Sequence, residues 1–463
     1  MFQRERKNGA KLLTDPVPNP SLDVARGVEQ SYRLVPGLYL LGSLERGVTV
    51  YKQQVRAHNL VWSLWELDRV GERPLGRVAV IGAGIAGLTC AAGMLSRWEG
   101  AASVTVFEQL WDLCPLQQGS DARWLHPRIY NWPDDGSRAP SASLPLLNWS
   151  EGRASDVART IVRGFSEHCQ AFVKSPDSLA VILGLRHFQI SAEKLEISWV
   201  GTRTEQVSGF FRLGEPEGAT SKFETIIVAA GFGLERLTDA HPTPSYWRNE
   251  QLGQPVLDGT QRRYVISGYG DGAMVDLCRL TIERFRQDTI VYELFGSQLA
   301  DTEARLEREL ADLGGGANLF NYFQSIEAEV FAKPLAQLAH RLRKDTAVVF
   351  HIRGREPGNT SLSCIFGPTS SRLNRLMAYL LYRCGAYAIS FDKLDDCVRQ
   401  HSAPASQVLC RYGAHTKTHL KRMIVDYPDL EAQVDAMEAG QAQTPVRRWK
   451  PGTFPITGVG NQQ

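Results

Sequence analysis

Residues 78–88 read Val-Ala-Val-Ile-Gly-Ala-Gly-Ile-Ala-Gly-Leu, an apolar run followed by three closely spaced glycines. The four opening residues favour a buried strand, and the residues after the glycines have an apolar helix pattern. Glycines at such a junction allow a tight turn, close approach of a phosphate to the backbone, and close packing of helix on strand. The stretch therefore predicts a β-α unit that binds the pyrophosphate of a dinucleotide at the helix N-terminus. The residues that we assign to this turn are Gly82, Gly84, Ile85, Ala86 and Gly87.

A second strand follows at the distance that such a unit requires. Residues 104–107 read Val-Thr-Val-Phe and lead directly into Glu108. A carboxylate at this place accepts hydrogen bonds from the adenosine ribose and repels a 2′-phosphate. Strand, helix and acid together favour a dinucleotide site over a chance glycine-rich turn.

The two segments resemble flavoproteins that bind FAD in a Rossmann-type domain. A further signature of that family is an apolar strand that closes on small residues, and residues 225–231, Thr-Ile-Ile-Val-Ala-Ala-Gly, match it. In the family these small residues lie close to the nucleotide, which assigns Ala230 and Gly231 to the cofactor site. The resemblance implies an α/β fold with a Rossmann-type three-layer FAD-binding domain.

An element that usually ends such flavoproteins precedes the glycine motif in this chain. Residues 36–43, Pro-Gly-Leu-Tyr-Leu-Leu-Gly-Ser, resemble the strand that precedes a helix whose N-terminus faces the flavin, and Thr49 is placed to cap that helix. We interpret residues 36–69 as a circularly permuted flavin-facing element. Gly42 and Ser43 stand where the family has Gly-Asp, whose carboxylate holds a ribityl hydroxyl. A plain N-terminal β-α unit is the alternative.

An aromatic and proline-rich segment, residues 121–133, follows the ribose acid. In flavoproteins the corresponding segment commonly crosses the cofactor. We therefore predict that Arg123 binds the cofactor and that His126 and Tyr130 are catalytic pocket residues. The alternative is a loop that is anchored by aromatic side chains and holds an ordinary structural histidine.

A second glycine loop follows a predicted strand at residues 264–267. Residues 289–292, Thr-Ile-Val-Tyr, predict the next strand, which would end in Glu293 as a second ribose acid. The unit is therefore expected to be a second βαβ nucleotide-binding unit. The residues that we assign to its loop are Gly268, Gly270, Asp271, Gly272 and Ala273.

Three interpretations of the second loop stay open. The order of the motifs resembles class B flavin monooxygenases and related N-hydroxylases, which implies a nicotinamide-nucleotide site, and we favour this one. Alternatively Asp271 is the ribityl-binding acid of the FAD site, or the unit is structural and binds no ligand. Ala273 favours NADP and Glu293 favours NAD, because a carboxylate repels a 2′-phosphate. NADH and NADPH are both candidates, with NADH favoured.

Composition excludes several other classes. The chain has 463 residues, is 43% apolar and 22% charged, and carries a net charge of +2, so no overall field recruits nucleic acid. Its eight cysteines form no C-x-x-C pair, so the sequence does not predict a redox-active dithiol or a zinc cluster. Unpaired thiols are typical of a protein in a reducing compartment. We expect no metal, no signal peptide, no membrane span and a cytoplasmic protein. An anion pocket is a weaker hypothesis, and its candidate arginines are Arg353, Arg355, Arg372 and Arg375.

These observations predict three regions and one main function. Residues 1–262 form the FAD-binding domain, with the glycine fingerprint at 77–108 and the small-residue strand at 225–233; residues 263–345 form the second unit, and 346–463 a C-terminal α/β region with a flexible tail. The predicted function is an FAD-dependent oxidoreductase that passes a hydride from NAD(P)H to flavin and on to a small organic substrate or oxygen. A non-catalytic nucleotide-binding regulatory protein and a single-cofactor FAD oxidase are the alternatives, and a homo-oligomer or a protein partner stays open.

Overall fold

The structure is a computed structural model and describes residues 22–41, 48–207, 210–231, 241, 243, 245–314, 316–352, 362–368, 370–413 and 416–441. The strands within these ranges are β1 (Arg33–Val35), β2 (Leu38–Leu40), β3 (Arg77–Ile81), β4 (Ser103–Phe107), β5 (Trp124–Leu125), β6 (Gly152–Arg153), β7 (Leu179–Ser191), β8 (Glu196–Val207), β9 (Phe210–Lys222), β10 (Thr225–Val228), β11 (Arg262–Ser267), β12 (Thr346–His351), β13 (Ala388–Ser390) and β14 (Val408–Cys410). The α-helices are α1 (Leu22–Tyr32), α2 (Val50–Arg69), α3 (Ile85–Arg97), α4 (Ala154–Phe172), α5 (Asp271–Thr281), α6 (Ile290–Phe295), α7 (Leu299–Leu313), α8 (Leu319–Ile326), α9 (Ala332–Ala339), α10 (Arg372–Arg383), α11 (Leu394–Gln400), α12 (Thr416–Met423) and α13 (Leu430–Gln441).

The strand before the first glycine loop, β3, lies in the middle of the larger sheet. The strand order is β1-β2-β10-β3-β4-β7-β8-β9, and β2, β10, β3, β4 and β7 run parallel. Taken from β7 to β2, these five strands follow the 3-2-1-4-5 order of a doubly wound dinucleotide-binding sheet. The fifth position is filled by β2, which comes first in the chain.

Two apolar layers cover this sheet. Val78 and Val80 face a core shared with α2, α3 and α4, whereas Ala79 and Ile81 face a core that includes residues of α12 and α13. A strand buried on both faces explains the continuous apolar run that precedes the glycines. The predicted three-layer α/β fold is therefore confirmed.

The smaller sheet has the order β13-β12-β11-β14, and all of its strands are parallel. This is the 3-2-1-4 order, with β11 in the central first position before the second glycine loop. Its strands come from both of the segments 263–345 and 346–463, so the two segments build one sheet. The chain then returns to the larger sheet, where the backbone N–H of Val425 donates to the carbonyl of Ile190 at 3.2 Å.

The strand that we predicted at residues 289–292 is wrong. These residues lie in α6, which begins after Thr289 and packs its buried Ile290, Leu294 and Phe295 into the core of the second unit. β-Branched residues favour strands only weakly, and burial of one face of a helical turn outweighs that preference here. The next strand in the chain that pairs with β11 is β12, which begins more than fifty residues after residue 292.

Candidate dinucleotide-binding sites

The first glycine loop has the backbone geometry that its glycines predicted. Gly82 has a φ of +105°, and a Cβ there would lie 2.6 Å from the carbonyl oxygen of Ala229. A Cβ on Gly87 would lie 1.9 Å from the carbonyl oxygen of Gly82. Since real Cβ atoms cannot approach an oxygen so closely, both positions require glycine.

Open space lies beside Gly84, which separates it from its two neighbours in the motif. Among the described residues no heavy atom lies within 4 Å of where its Cβ would be. Gly84 is also the N-cap of α3, so the first N–H groups of the helix, including those of Ile85 and Ala86, are at this point. A helix N-terminus with free approach fits a phosphate group, because backbone N–H groups and the helix dipole both favour an anion.

Glu108 lies at the same sheet edge and is tied to the loop. Its side chain accepts hydrogen bonds from the backbone N–H of Ala83 (Oε2, 2.8 Å) and of Leu110 (Oε1, 2.9 Å). Burial raises the pKa of this carboxyl, while the backbone hydrogen bonds act in the opposite direction. Each carboxylate oxygen can accept a second hydrogen bond, so the group can still receive the hydroxyls of a ribose.

The small-residue strand end packs directly on the loop. The N–H of Ala229 donates to the carbonyl of Ile81 at 2.8 Å, and Gly231 has a φ of +68°. Ala230 lies between them and is half-buried. A Cβ on Gly82 would also lie 3.0 Å from the Cα of Ala230, so the glycine turn and this strand end are in direct contact.

The N-terminal strand β2 lies beside this strand end. Its residue Leu38 is in register with Ile226 of β10, and the N–H of Leu41 donates to the carbonyl of Val228 at 2.9 Å. Gly42 and Ser43, which come next, lie outside the described residues. The chain resumes at α2, where the side chain of Thr49 accepts a hydrogen bond from the N–H of Lys52 as the predicted N-cap.

Arg123 joins the two units. Only 2% of its surface is exposed, and its guanidinium donates to the Asp276 carboxylate (Nη1–Oδ1, 2.5 Å) and to the carbonyl of Tyr246 (Nε, 2.6 Å). It also stacks on the Tyr246 ring at 3.8 Å from the ring centre. These contacts link the segment at residues 121–133 to helix α5, and binding of the cofactor by Arg123 stays a prediction.

Asp276 is the centre of a buried charge cluster that the sequence interpretation missed. It is fully buried and also accepts a hydrogen bond from Arg411 (Nε–Oδ2, 2.8 Å), which follows β14. The arginines hold the pKa of this carboxyl below its ordinary value although burial alone raises it. An aspartate in the otherwise apolar stretch Ala-Met-Val-Asp-Leu-Cys was the available signal.

His126 holds a turn. Its Nδ1 accepts hydrogen bonds from the N–H groups of Arg128 and Ile129 (3.1 and 3.0 Å), and its Nε2 lies 3.2 Å from the Glu151 carboxylate. Burial lowers its pKa to about 4, so the ring is neutral at physiological pH. Both ring nitrogens are engaged by the protein, and these contacts do not favour a catalytic role.

Tyr130 is half-buried and lies close to the second glycine loop. Burial raises the pKa of its phenol well above the ordinary value, and the charge of Asp271 acts in the same direction. The phenol also has a hydrogen bond to Gln287. Tyr130 is therefore protonated and can donate a hydrogen bond but not accept a proton, and its catalytic role stays a prediction.

The second glycine loop repeats the geometry of the first. Gly268 has a φ of +121°, and a Cβ there would lie 2.4 Å from the carbonyl oxygen of Arg411. Gly270 caps α5 and has open space around its Cβ position among the described residues. Gly272 differs, because the ring of Tyr246 would lie 3.3 Å from its Cβ, and Ala273 is fully buried.

Asp271 does not face the loop as a free carboxylate. Its Oδ1 accepts hydrogen bonds from the N–H of Ser371 and from the Asn374 side chain, both at 2.7 Å. Ser371 is the N-cap of α10, so the charge of Asp271 is stabilised at the N-terminus of that helix. Burial raises the pKa of the Asp271 carboxyl, while the hydrogen bonds from Ser371 and Asn374 act in the opposite direction.

Glu293 does not stand at a strand end, and its assignment as a second ribose acid is corrected. It lies on α6, accepts a hydrogen bond from the hydroxyl of Thr289 at 2.6 Å and pairs with Arg341. The residue that follows the true second strand, β12, is the buried Ile352.

Two of the four arginines of the hypothesised anion pocket lie in the described residues. Arg372 pairs with Asp134 at 2.8 Å, and Arg375 donates to the carbonyl of Phe366 at 3.2 Å. Arg353 and Arg355 lie outside the described residues. Within the described ranges no group of acidic, histidine and cysteine side chains could hold a metal ion, and no helix there has the length and apolarity to span a bilayer.

Comparisons with known proteins give neighbours in structure alone. No protein-family model matches the chain, and no curated protein matches it in sequence. It is similar to the bacillithiol disulfide reductase Bdr of Bacillus cereus (13% identity, 68% of this chain and 67% of that one, TM-score 0.32). It is also similar to OTEMO in complex with FAD and NADP (12%, 76% and 73%, 0.34) and to cyclohexanone monooxygenase from Rhodococcus sp. Phi1 bound to NADP+ (10%, 80% and 84%, 0.31). Because these TM-scores are below 0.5, a nucleotide site in this chain is inferred from its own strand order and loop geometry.

Proposed function

We propose that the chain is an FAD-dependent oxidoreductase whose first unit binds FAD. The observation that carries this proposal is the first glycine loop, where Gly84 leaves open space at the N-terminus of α3 beside the carboxylate of Glu108. When bound, FAD would supply the capacity to accept and pass on a hydride.

Different residues of the first unit would bind different parts of FAD. The loop from Gly82 to Gly87 would hold the pyrophosphate through backbone N–H groups, and Glu108 would accept hydrogen bonds from the ribose. Ala230 and Gly231 would leave room for the nucleotide. The position of β2 beside β10 supports the permuted arrangement, in which the N-terminus of α2 faces the flavin.

We further propose that the second loop binds a nicotinamide nucleotide. Its strand order and its φ values support this role, as does the engagement of Asp271 by α10. The same engagement does not favour Asp271 as the ribityl-binding acid of the FAD site. Since Glu293 lies on α6, it no longer favours NADH over NADPH. Both nucleotides are therefore tested as hydride donors.

The side chains around the second glycine loop favour a second candidate, a flavoprotein with a single cofactor. The ring of Tyr246 lies against Gly272, and Arg411 and Ile352 occupy the places of the small residue and the acid of the first unit. In that case the second unit is structural and the electrons come from the organic substrate itself.

The deciding experiment is a visible absorption spectrum of the purified chain, recorded before and after anaerobic addition of NADH and, separately, NADPH. A flavin spectrum that bleaches supports both sites, and the faster donor identifies the nicotinamide cofactor. A flavin spectrum that neither nucleotide changes favours the single-cofactor candidate. A folded, colourless chain that does not take up added FAD contradicts the oxidoreductase proposal and favours a regulatory nucleotide-binding protein.

A further inference from the structure

Trp111 is exposed at the edge of the first sheet where the glycine loop lies. It exposes 53% of its surface, while the other tryptophans in the described ranges are buried or half-buried. Tryptophan is a large apolar side chain that is on average well buried in folded proteins. An exposed indole next to a binding loop is therefore a candidate contact for a ligand.

The indole is held in place by the backbone beneath it. A Cβ on Gly184 would lie 2.2 Å from the ring carbon Cζ3 of Trp111, so the ring rests directly on this glycine. Gly184 has a φ of +62°, and its N–H donates to the carbonyl of Leu110 at 2.9 Å. One face or edge of the indole is thus fixed by β7, and the remainder faces outward.

The same turn fixes the ribose acid. The N–H of Leu110 donates to the carboxylate of Glu108 at 2.9 Å, and the N–H of Glu108 donates to the carbonyl of Ile182 at 2.9 Å. Glu108 directly follows β4, and Trp111, three residues later, lies on Gly184 of β7, just beyond the last pair of these two strands, Phe107 with Ile182. A dinucleotide with its pyrophosphate at α3 and its ribose at Glu108 carries its base beyond the ribose, away from β3.

We propose that Trp111 is the stacking platform for the adenine base of the dinucleotide bound at the first loop. This inference rests on the proposed function and adds the residue that recognises the base. An indole offers a flat aromatic surface to a purine, and such base–aromatic stacking is sequence-tolerant and favourable. The glycine at position 184 is required because any side chain there would displace the ring.

The test is the dissociation constant for FAD of the full chain after its flavin has been removed, measured by quenching of flavin fluorescence. Trp111→Ala is expected to weaken FAD binding about tenfold, since loss of one base stack costs roughly this factor. Trp111→Phe keeps an aromatic ring and is expected to retain most of the affinity. Leu257→Ala is the matched control, because Leu257 is a highly exposed apolar side chain outside the first unit's loops.

The flavin-free melting temperature of each variant separates stacking from folding. An unchanged melting temperature with weakened FAD binding in Trp111→Ala, and recovery in Trp111→Phe, supports the platform. Unchanged FAD affinity in Trp111→Ala, or an equal loss in Trp111→Phe, overturns it while the proposed function stands. Failure of the unmodified, folded chain to bind FAD overturns the proposed function and this inference together.

Discussion

The two parallel sheets share a backbone plan and differ in the side chains placed on it. In the first unit the N–H of Gly82 donates to the carbonyl of Phe107 at 2.7 Å, and in the second the N–H of Gly268 donates to that of His351 at 3.2 Å. These bonds align each glycine turn with the end of the neighbouring strand. The two loops therefore correspond residue by residue.

The chemistry at corresponding places is not the same. Glu108 of the first unit corresponds to Ile352 of the second, since the N–H of each donates to the next strand, at 2.9 Å in both cases. Ala229 corresponds to Arg411, because the carbonyl of each lies against the first glycine of its loop. Strand order and glycine spacing therefore create a possible nucleotide site, whereas an acid and small residues at the strand ends determine which ligand can bind there.

The largest expected effect concerns the charge cluster of the second unit. Asp276→Ala leaves the buried Arg123 and Arg411 without their shared carboxylate and is expected to lower the free energy of unfolding by about 3–5 kcal/mol. Urea denaturation measures the change. Asp156→Ala, which removes an exposed ion pair with Arg159, is the control and should alter stability little. Equal effects of the two substitutions would contradict a structural role for the cluster.

Acid is expected to destabilise the first unit through His58 of α2. Burial lowers the pKa of His58 to about 4, whereas the unfolded chain protonates it near 6.5. The unfolded state therefore binds the extra proton between these values, and His58 alone lowers stability by about 3 kcal/mol as pH drops from about 6.5 to 4. Since His126 acts in the same direction, His58→Gln should reduce this dependence without abolishing it in denaturation curves recorded across that range. The exposed His187→Gln is the control, and a slope unchanged by His58→Gln would refute the assignment.

Gly87 and Ala273 hold the same place in the two loops and should respond differently. Gly87→Ala places a Cβ 1.9 Å from the carbonyl oxygen of Gly82 and is expected to cost about 1–3 kcal/mol and to reduce FAD retention. Ala273→Gly removes a methyl group from a helix. It should lower the free energy of unfolding by about 1 kcal/mol or less, because glycine loses more backbone entropy on folding, and the flavin should be retained. Thermal melts and the flavin-to-protein absorbance ratio measure both. A stable, fully yellow Gly87→Ala protein would show that the helix can shift.

The smallest expected effects distinguish Glu108 from Glu293, the two acids that the sequence patterns assigned to ribose binding. Glu108→Gln keeps the shape but loses the charge, and FAD affinity is expected to fall about tenfold, as for loss of a charged hydrogen bond. Glu293→Gln should leave FAD affinity and the rates of reduction by NADH and NADPH unchanged, because Glu293 pairs with Arg341 on α6. A changed preference between the two nucleotides in Glu293→Gln would reinstate its role in the second site.

Much of the fold was predictable because its signals are local. Helix α2 begins after Thr49, the N-cap that the sequence predicted, and β3, β4 and β10 lie where continuous apolar runs end in glycine, acid or small residues. The strand predicted at residues 289–292 is wrong because a short β-branched run can equally well form the buried face of a helical turn. The strand that lies beside β11 in its place is β12, which is too far along the chain for a local pattern to find.

The sequence alone determined the two glycine turns of this protein, because φ angles of +105° at Gly82 and +121° at Gly268, with a backbone oxygen where a Cβ would lie, are demands that glycine meets. It also determined β3, β4 and β10, since each of these apolar runs is followed at once by the glycine, acid or small residues that end a strand of this kind. Tertiary structure alone decided the partners: β2 beside β10, Arg123 with Asp276, and Asp271 at the N-terminus of α10. A charged or polar side chain can be stabilised by many partners, and which one it meets depends on contacts between residues a hundred or more positions apart.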